Sequence, residues 1–526
     1  MTDPGGDRPD LPIRPYERRE AHVRDWDPRT LEVAARIAAM VRRRRPDLDV
    51  EHIGSTAVPG LPGKGIVDLS VEVEAGEIPA VVELLYGLGF GPQPGPDPWP
   101  TTRPMIVGAV DVDGEEFRIH VHVQPVGGDM PRDLAFRDAL RNDPELMRQY
   151  SALKTRITRG RGVDSLRYTH SKTAWILGVY KALGFRPPAI LPPATIGILD
   201  GGRRAALLAL AARSLGYRIA VLDPDPECPA ASMADRVEVA RLDDIEAARR
   251  LAVSCAVITI AAPTVSLDVV RALDGGGAVL RPGPYALKLT HDAAAQRDFI
   301  EANGAAVAST PTAGSSATPT GAAENLSVIV ARGVDGLLAG YPVARALGRP
   351  GSPDGPVATC VPSGIEATIE TAALDLAGGL ATGMGLVGLL TAEFVVGPDD
   401  SLAVAALAPR VDDAGDWTIE ATVTSQYEQQ VRAICCLPLG STELRVPAAA
   451  TVHLAGSGPD RDARPSGVEA VLEAPDVHLH LDGVRRTGAG RIMGHVTAVA
   501  ATADAALAAA SAAASRVRWD EREEGS

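Results

Sequence analysis

The chain lacks most of the features that would assign it to a class at once. No apolar run is uninterrupted over a bilayer's thickness: the Ala/Leu-rich stretch LDLAGGLATGMGLVGLL from Leu374 is broken by glycines and lies within an α/β pattern. The opening MTDPGGDRPD has neither the cationic start nor the apolar core of a secretion signal. Cysteine is scarce, and Cys228, Cys255, Cys360, Cys435 and Cys436 show no CxxC spacing, which fits buried thiols in a reducing cytoplasm. Adjacent Cys435 and Cys436 are poor disulfide partners. Positive charge is also short, with 52 Lys and Arg against 67 Asp and Glu and a net charge of −15, which argues against nucleic acid or an acidic membrane as partner. The run RRRR at Arg42–Arg45 does not change this, because it is brief, follows AARIAAMV at a helix C-terminus where cations are favoured, and has no aromatics between its members. Lysine is the rarest cation, and Lys288 is the only one from residue 187 onward.

What is present points to a soluble globular protein. A chain of 526 residues, 45% hydrophobic and with mean hydropathy +0.04, is too long for one ordinary core and implies two or more domains. The proline-rich RPPAILPPAT from Arg186 has no helical or alternating pattern and reads as a connector, giving domains at 1–185 and 196–526 with a linker at 186–195.

The most informative segment is EHIGSTAVPGLPGKGIVDLSVEV, Glu51 to Val73. A Gly54-Ser55 turn lets backbone N–H groups approach a phosphate, and a carboxylate on the next strand can hold the Mg²⁺ bridging its oxygens. Asp68, Ser70 and Glu72 alternate and leave one face of that strand. The same letters also compose an ordinary loop between apolar runs. His120 and His122 in RIHVHVQP share a strand face, suiting metal ligation or a general base, or a plain surface pair.

HIGSTAVPGLPGKGIVDL, FRIHVHVQP, LAFRDALRNDPELMRQYSALK and YTHSKTAWI, in this order over roughly residues 12–185, together resemble the GrpB family of the nucleotidyltransferase superfamily. The resemblance implies an α/β nucleotidyltransferase-like fold, a phosphate turn at Gly54-Ser55, and Asp68 as the metal-holding aspartate. Ser70 stands where many members carry a second carboxylate, which favours nucleotide binding over efficient transfer. Lys64, Arg137, Lys154, Tyr168 and Lys172 are the further nucleotide-binding candidates, their cations balancing a triphosphate. The helical ones also suit solvated faces with i,i+4 ion pairs.

After the connector, TIGILDGGRRAALLALAARSLGYRIAVLDPDP reads as strand, glycine turn, helix, strand, the opening of a parallel α/β domain. Its turn does not complete GxGxxG, so it is a weak dinucleotide signal. GYRIAVLDPDPECPAASMADR, AVLRPGPYALKLTHD, LVGLLTAEFVV, APRVDDAGDWTIEATVTSQYEQQVRAICCLPLGSTEL and HLHLDGVRRTGAGRIMGHVTAVA resemble, in order, the ATP-grasp 5-(carboxyamino)imidazole ribonucleotide synthases. That family implies ATP-dependent carboxylation of aminoimidazole ribonucleotide, and pairing of two copies through this domain.

The sequence departs from that family where its chemistry should be. Between Ser309 and Asn325 a short Ser/Thr/Ala/Gly/Pro stretch replaces most of the nucleotide-covering lid. Glu393 matches one metal-holding carboxylate, but the second falls at Ala406. Basic and amide positions after APR become Asp412, Asp413 and Asp416; the early glycine turn carries Arg203 and Arg204; Ile492 stands for a lysine. The expectation is therefore an α/β chain throughout: a nucleotidyltransferase-like domain, then an ATP-grasp-type domain lacking most of its lid. The first would bind a small-molecule nucleotide, ATP or another nucleoside triphosphate, with Mg²⁺. Asp68 and His122 are its catalytic candidates, and Asp68, His120 and Glu393 the metal candidates. The second would serve ligand binding or dimerisation. The alternative is a divergent ATP-dependent ligase acting on aminoimidazole ribonucleotide or a related nucleotide.

Overall fold

Apolar residues three and four apart in RTLEVAARIAAMV give the first helix, α1 (Arg29–Arg44), a single inward stripe of Val33, Ile37, Met40 and Val41. Three arginines close its last turn, where the helix dipole favours them. The computed structural model describes residues 10–17, 22–94, 103–158, 172, 175–176, 178–185, 188–308, 324–348 and 357–521. The chain divides into two units, Met1–Arg186 with Asp274–Gly277, and Pro187–Leu273 with Ala278–Ser526.

The first unit is built on a five-stranded sheet of β1 (Val50–Ile53), β2 (Val67–Val73), β3 (Gly91–Pro92), β4 (Met105–Val112) and β5 (Glu115–Pro125), in the order β1-β2-β5-β4-β3. Only β2 and β5 are parallel, so the chain travels through α2 (Ile78–Gly87) and β3–β4 before β5 can return beside β2. Alternation then sorts the side chains. Val67, Leu69, Val71 and Val73 of β2 and Phe117, Ile119, Val121 and Val123 of β5 join one core with α1 and α2. The intervening residues Asp68, Ser70, His120 and His122 face the other way. That side is served by α3 (Met130–Asn142) and α4 (Pro144–Thr158), whose Leu140 and Tyr150 form a smaller core with Val58, Leu61, Phe136 and Trp175. Tyr150 and Trp175 stack at 4.8 Å.

The second unit opens with the expected strand, turn and helix: β6 (Thr195–Leu199), the helix Arg203–Ser214, then β7 (Arg218–Asp223). With β8 (Arg236–Val239) and β9 (Val257–Ile260) these strands form a parallel sheet ordered β8-β7-β6-β9. A ten-stranded sheet follows. It includes the neighbours β15 (Gly388–Val396) and β16 (Leu402–Ala408), and β17 (Ala448–Ala455), β21 (Ile492–Ala500) and β19 (Val477–Leu481) at one end. No helix among the described residues is long and apolar enough to cross a membrane.

Candidate functional site

Two backbone features bring the first site together. Gly54 follows β1 at φ +74 and turns the chain into the single 3₁₀ turn Ser55–Ala57. A Cβ at Gly54 would lie 2.5 Å from Asp68 Oδ2, so glycine is what lets this turn approach the carboxylate. The turn is tied from behind by Thr56, whose hydroxyl donates to the Ile66 carbonyl at 2.9 Å and whose carbonyl accepts from Trp26 Nε1 at 3.0 Å. The second feature is the β2/β5 register, which sets Asp68 opposite His120 and Ser70 opposite His122.

Asp68 Oδ1 lies 3.3 Å from His120 Nδ1 and 3.7 Å from His122 Nε2. Burial alone would raise the Asp68 carboxyl, but hydrogen bonding with His120 and His122 outweighs it and holds the group well below the usual carboxylate range. Burial pushes the His120 imidazole down against the pull of Asp68. Its other nitrogen, Nε2, meets the Tyr16 hydroxyl at 3.2 Å. Ser70 is fully buried and accepts from Gln124 Nε2 at 3.0 Å, so it belongs to the structural layer beneath the site.

These groups border a cavity of ≈ 370 Å³, within the range of small-molecule sites. Of the residues singled out in the sequence, Gly54, Ser55, Lys64, Asp68, His120, His122, Lys154 and Lys172 all line it. Three of the chain's five lysines thus converge on one space. Burial lowers Lys154 to about 6, with Lys172 adding to the shift, and its ammonium sits 4.6 Å above the Tyr150 ring while reaching the Pro62 carbonyl. Burial also lowers Lys172, to about 8, against the attraction of Asp68. Two candidates fall elsewhere. Arg137 is not among the lining residues: it donates to Glu51 at 2.7 Å, to Asp138 at 2.8 Å and to the His52 carbonyl at 3.0 Å, bracing the sheet edge. Tyr168 lies outside the described residues. Sequence reasoning missed Tyr16, Asp133 and Tyr180, which also line the cavity; Tyr180 donates to Asp133 at 3.0 Å. Nothing in the spacing of these three marks them.

The expected Mg²⁺ does not suit this donor set. One carboxylate and two imidazoles replace the all-oxygen environment that Mg²⁺ takes.

In the second unit Glu393 lies on β15 directly opposite Ala406 on β16, so the cross-strand pair offers one carboxylate only. The glycine turn before Arg203–Ser214 sends two guanidinium groups into a buried acidic cluster. Arg203 meets Asp413 and Asp416 at 2.8 Å each and Asp482 at 3.0 Å; Arg204 grips both Asp413 oxygens at 2.6 and 2.7 Å. Asp416 is fully buried and also accepts from Tyr427 at 2.5 Å, with His453 Nε2 at 3.3 Å. The register of β17, β21 and β19 puts His453, His495 and His480 on one rung beside it. Burial drives His495 down to about 3, and raises Asp482 to about 6 despite Arg203.

Family models match three stretches: GrpB protein over residues 20–182, the ribonucleotide synthetase preATP-grasp domain over 193–291, and the ATP-grasp domain over 322–427. The N5-carboxyaminoimidazole ribonucleotide synthase of Brucella melitensis biotype 1 is 31% identical over 365 aligned positions, covering 59% of this chain and 98% of that protein. The chain belongs to the N5-carboxyaminoimidazole ribonucleotide synthase family. The synthase of Bacillus subtilis is 29% identical, with 59% of this chain and 92% of that protein covered. The solved synthetase from Thermotoga maritima superposes with a TM-score of 0.56 at 28% identity, over 62% of this chain and all of that one. A synthetase solved as its ADP complex gives 0.55 at 29% identity, over 62% of this chain and 97% of that one.

Family membership rests on the second unit, which carries a synthase-type ATP-grasp domain behind an added GrpB domain. The 365 aligned positions occupy only 59% of the 526 residues, so several dozen positions of the Brucella synthase have no counterpart here. Residues 309–323, where the sequence puts the shortened lid, are outside the described residues. The departures noted in the sequence, Arg203, Arg204, Asp412, Asp413 and Asp416, are drawn into one ion-paired cluster.

Proposed function

We propose that the GrpB-like unit binds a phosphorylated small molecule of the nucleoside triphosphate class, and that the synthase-like unit is a catalytically degenerate scaffold for ligand binding or pairing of two copies. One observation carries the first half: Lys64, Lys154 and Lys172 share a ≈ 370 Å³ cavity with Asp68, His120 and His122. Burial disfavours the charge of Lys154 and Lys172, and a phosphate ester entering the cavity both restores that charge and accepts their hydrogen bonds. Gly54 and Ser55 supply backbone at the cavity wall without a Cβ at the first position. With a buried serine at position 70, the Asp68–His120–His122 trio holds one carboxylate where two-metal nucleotidyl transfer uses two or three, so binding without efficient transfer is the reading.

The second half is carried by the arginine–aspartate cluster. Both of its arginines are ion-paired within the chain, which leaves little reason for a ribonucleotide phosphate to enter. The competing reading, a divergent ATP-dependent ligase, is favoured by the near-complete coverage of the Brucella synthase. Calorimetry of the full chain with ATP, GTP, CTP and aminoimidazole ribonucleotide decides between them. We expect a triphosphate to bind, and binding to weaken at least about tenfold in Lys172→Ala while remaining in Glu393→Ala. ATP hydrolysis that persists in Asp68→Ala and vanishes in Glu393→Ala would transfer the function to the second unit. Light scattering of the same samples reports whether two copies pair.

A further inference from the structure

The identity of the cation follows from the donors, once the cavity is read as a ligand site. Asp68, His120 and His122 each offer one ligand atom, and these three atoms lie within 4.8 Å of one another. Metal–ligand bonds of about 2.0–2.1 Å in a tetrahedral arrangement hold neighbouring ligand atoms about 3.3–3.4 Å apart. The separations from Asp68 Oδ1, 3.3 Å to His120 Nδ1 and 3.7 Å to His122 Nε2, are close to that spacing. The parallel register of β2 and β5 holds the strands that carry the three side chains side by side.

The partner of the other His120 nitrogen points the same way. A histidine that ligates a metal through one nitrogen presents the other as a donor to a fixed partner. His120 has its Nδ1 toward Asp68 and its Nε2 at 3.2 Å from the Tyr16 hydroxyl, the arrangement that fixes the ring and its tautomer for ligation through Nδ1. Ser70 contributes in a different way. At the rung opposite His122 a carboxylate would add the second hard oxygen that favours Mg²⁺, and the buried serine does not. Imidazole as two donors of three selects zinc-like ions over magnesium.

We infer that Asp68, His120 and His122 form a three-ligand site for a single Zn²⁺-class ion, with its remaining position open to the cavity, and that Tyr16 positions His120 for it. The test uses the full chain stripped by a chelator and titrated without any nucleotide. Co²⁺ should give a visible d–d band that saturates at one equivalent, be displaced by Zn²⁺, and resist a large excess of Mg²⁺. His122→Ala and Asp68→Asn should each weaken Co²⁺ binding by about 100-fold, and Tyr16→Phe by about 10-fold, with unchanged circular dichroism. Three results overturn the inference: Mg²⁺ competing on equal terms, Co²⁺ binding undiminished in the His120→Ala/His122→Ala variant, or a spectrum dominated by near-ultraviolet thiolate bands from cysteine. Triphosphate bound with Mg²⁺ and no Co²⁺ site sinks this inference and leaves the nucleotide reading intact. A Co²⁺ site with no affinity for triphosphate does the reverse.

Discussion

The cavity of the first unit and the ion-pair cluster of the second are both polar sites within α/β folds, and they handle charge in opposite ways. In the cluster, Arg203 meets three carboxylates and Arg204 grips a fourth contact on Asp413, so cation and anion come from the same chain. In the cavity, three lysines surround open space and two of them are pushed toward neutrality by burial. A cluster that supplies its own counter-charges is stable without a ligand. A cavity in which burial disfavours the charge of its amines gains from a bound anion.

The comparison breaks most severely at Asp416. Its side chain is fully buried and serves Arg203, Tyr427 and His453 at once. Asp416→Ala removes one of the three carboxylates that Arg203 meets, together with the buried partner of Tyr427 and His453, and should lower stability by about 3–5 kcal/mol, read from denaturant unfolding of the full chain. The same variant should leave triphosphate and Co²⁺ binding at the first site within about twofold, as expected for sites whose named contacts are not shared. Loss of both together would mean that the two sites are not independent.

Gly54→Ala tests the other side of the contrast. The new Cβ would sit at φ +74 and 2.5 Å from Asp68 Oδ2, so either the turn or the carboxylate must move. A cost of about 1–3 kcal/mol is expected, with loss of the metal site as its signature. A Gly60→Ala control, also at positive φ but with no atom within 4 Å of the added Cβ, should strain the loop and spare the metal.

The buried amine gives a pH dependence with a definite sign. Lys154 titrates at about 6 in the folded protein because burial disfavours its charge, whereas a lysine in an unfolded chain titrates near about 10.4. Between those values the unfolded chain carries the extra proton, so stability rises as pH increases from about 6 toward 10, with a slope of up to about 1.4 kcal/mol per pH unit. Lys154→Met should flatten that slope in unfolding experiments at pH 6.5, 8 and 9.5. Bound triphosphate should flatten it too, by keeping the ammonium charged in the fold.

Much of this was legible in the letters. Period-two alternation in VDLSVEV and in FRIHVHV assigned Asp68, His120 and His122 to strand faces, and the GrpB-like motif order supplied the fold around them. Their meeting was not legible, because it depends on β2 and β5 being parallel neighbours across some fifty intervening residues. Tyr16 was invisible for the same reason: it lies 104 positions from the histidine it orients. In the second unit the arginines and the aspartates were each visible as departures from the family the sequence resembles. The signal for their mutual pairing was that both signs of charge depart from the pattern of the resemblance, two cations and three anions.

The smallest expected effect sharpens the boundary of the cavity. Arg137 has the charge and helix position that suggest a phosphate ligand, yet its guanidinium is directed at Glu51, Asp138 and the His52 carbonyl. Those contacts hold α3 to the edge strand β1, so Arg137 acts on the wall and not on the ligand. Arg137→Ala should cost about 1 kcal/mol of stability, as for a partly exposed ion pair with one added hydrogen bond, and change triphosphate affinity by less than about twofold. Lys172→Ala should show the converse, weak binding with little loss of stability, because removing a buried amine relieves a desolvation cost even as it removes a phosphate contact. The two variants measured side by side separate charge that holds the fold from charge that awaits a ligand. If Arg137→Ala weakened binding as much as Lys172→Ala, the phosphate would have to lie along α3 and not over Asp68.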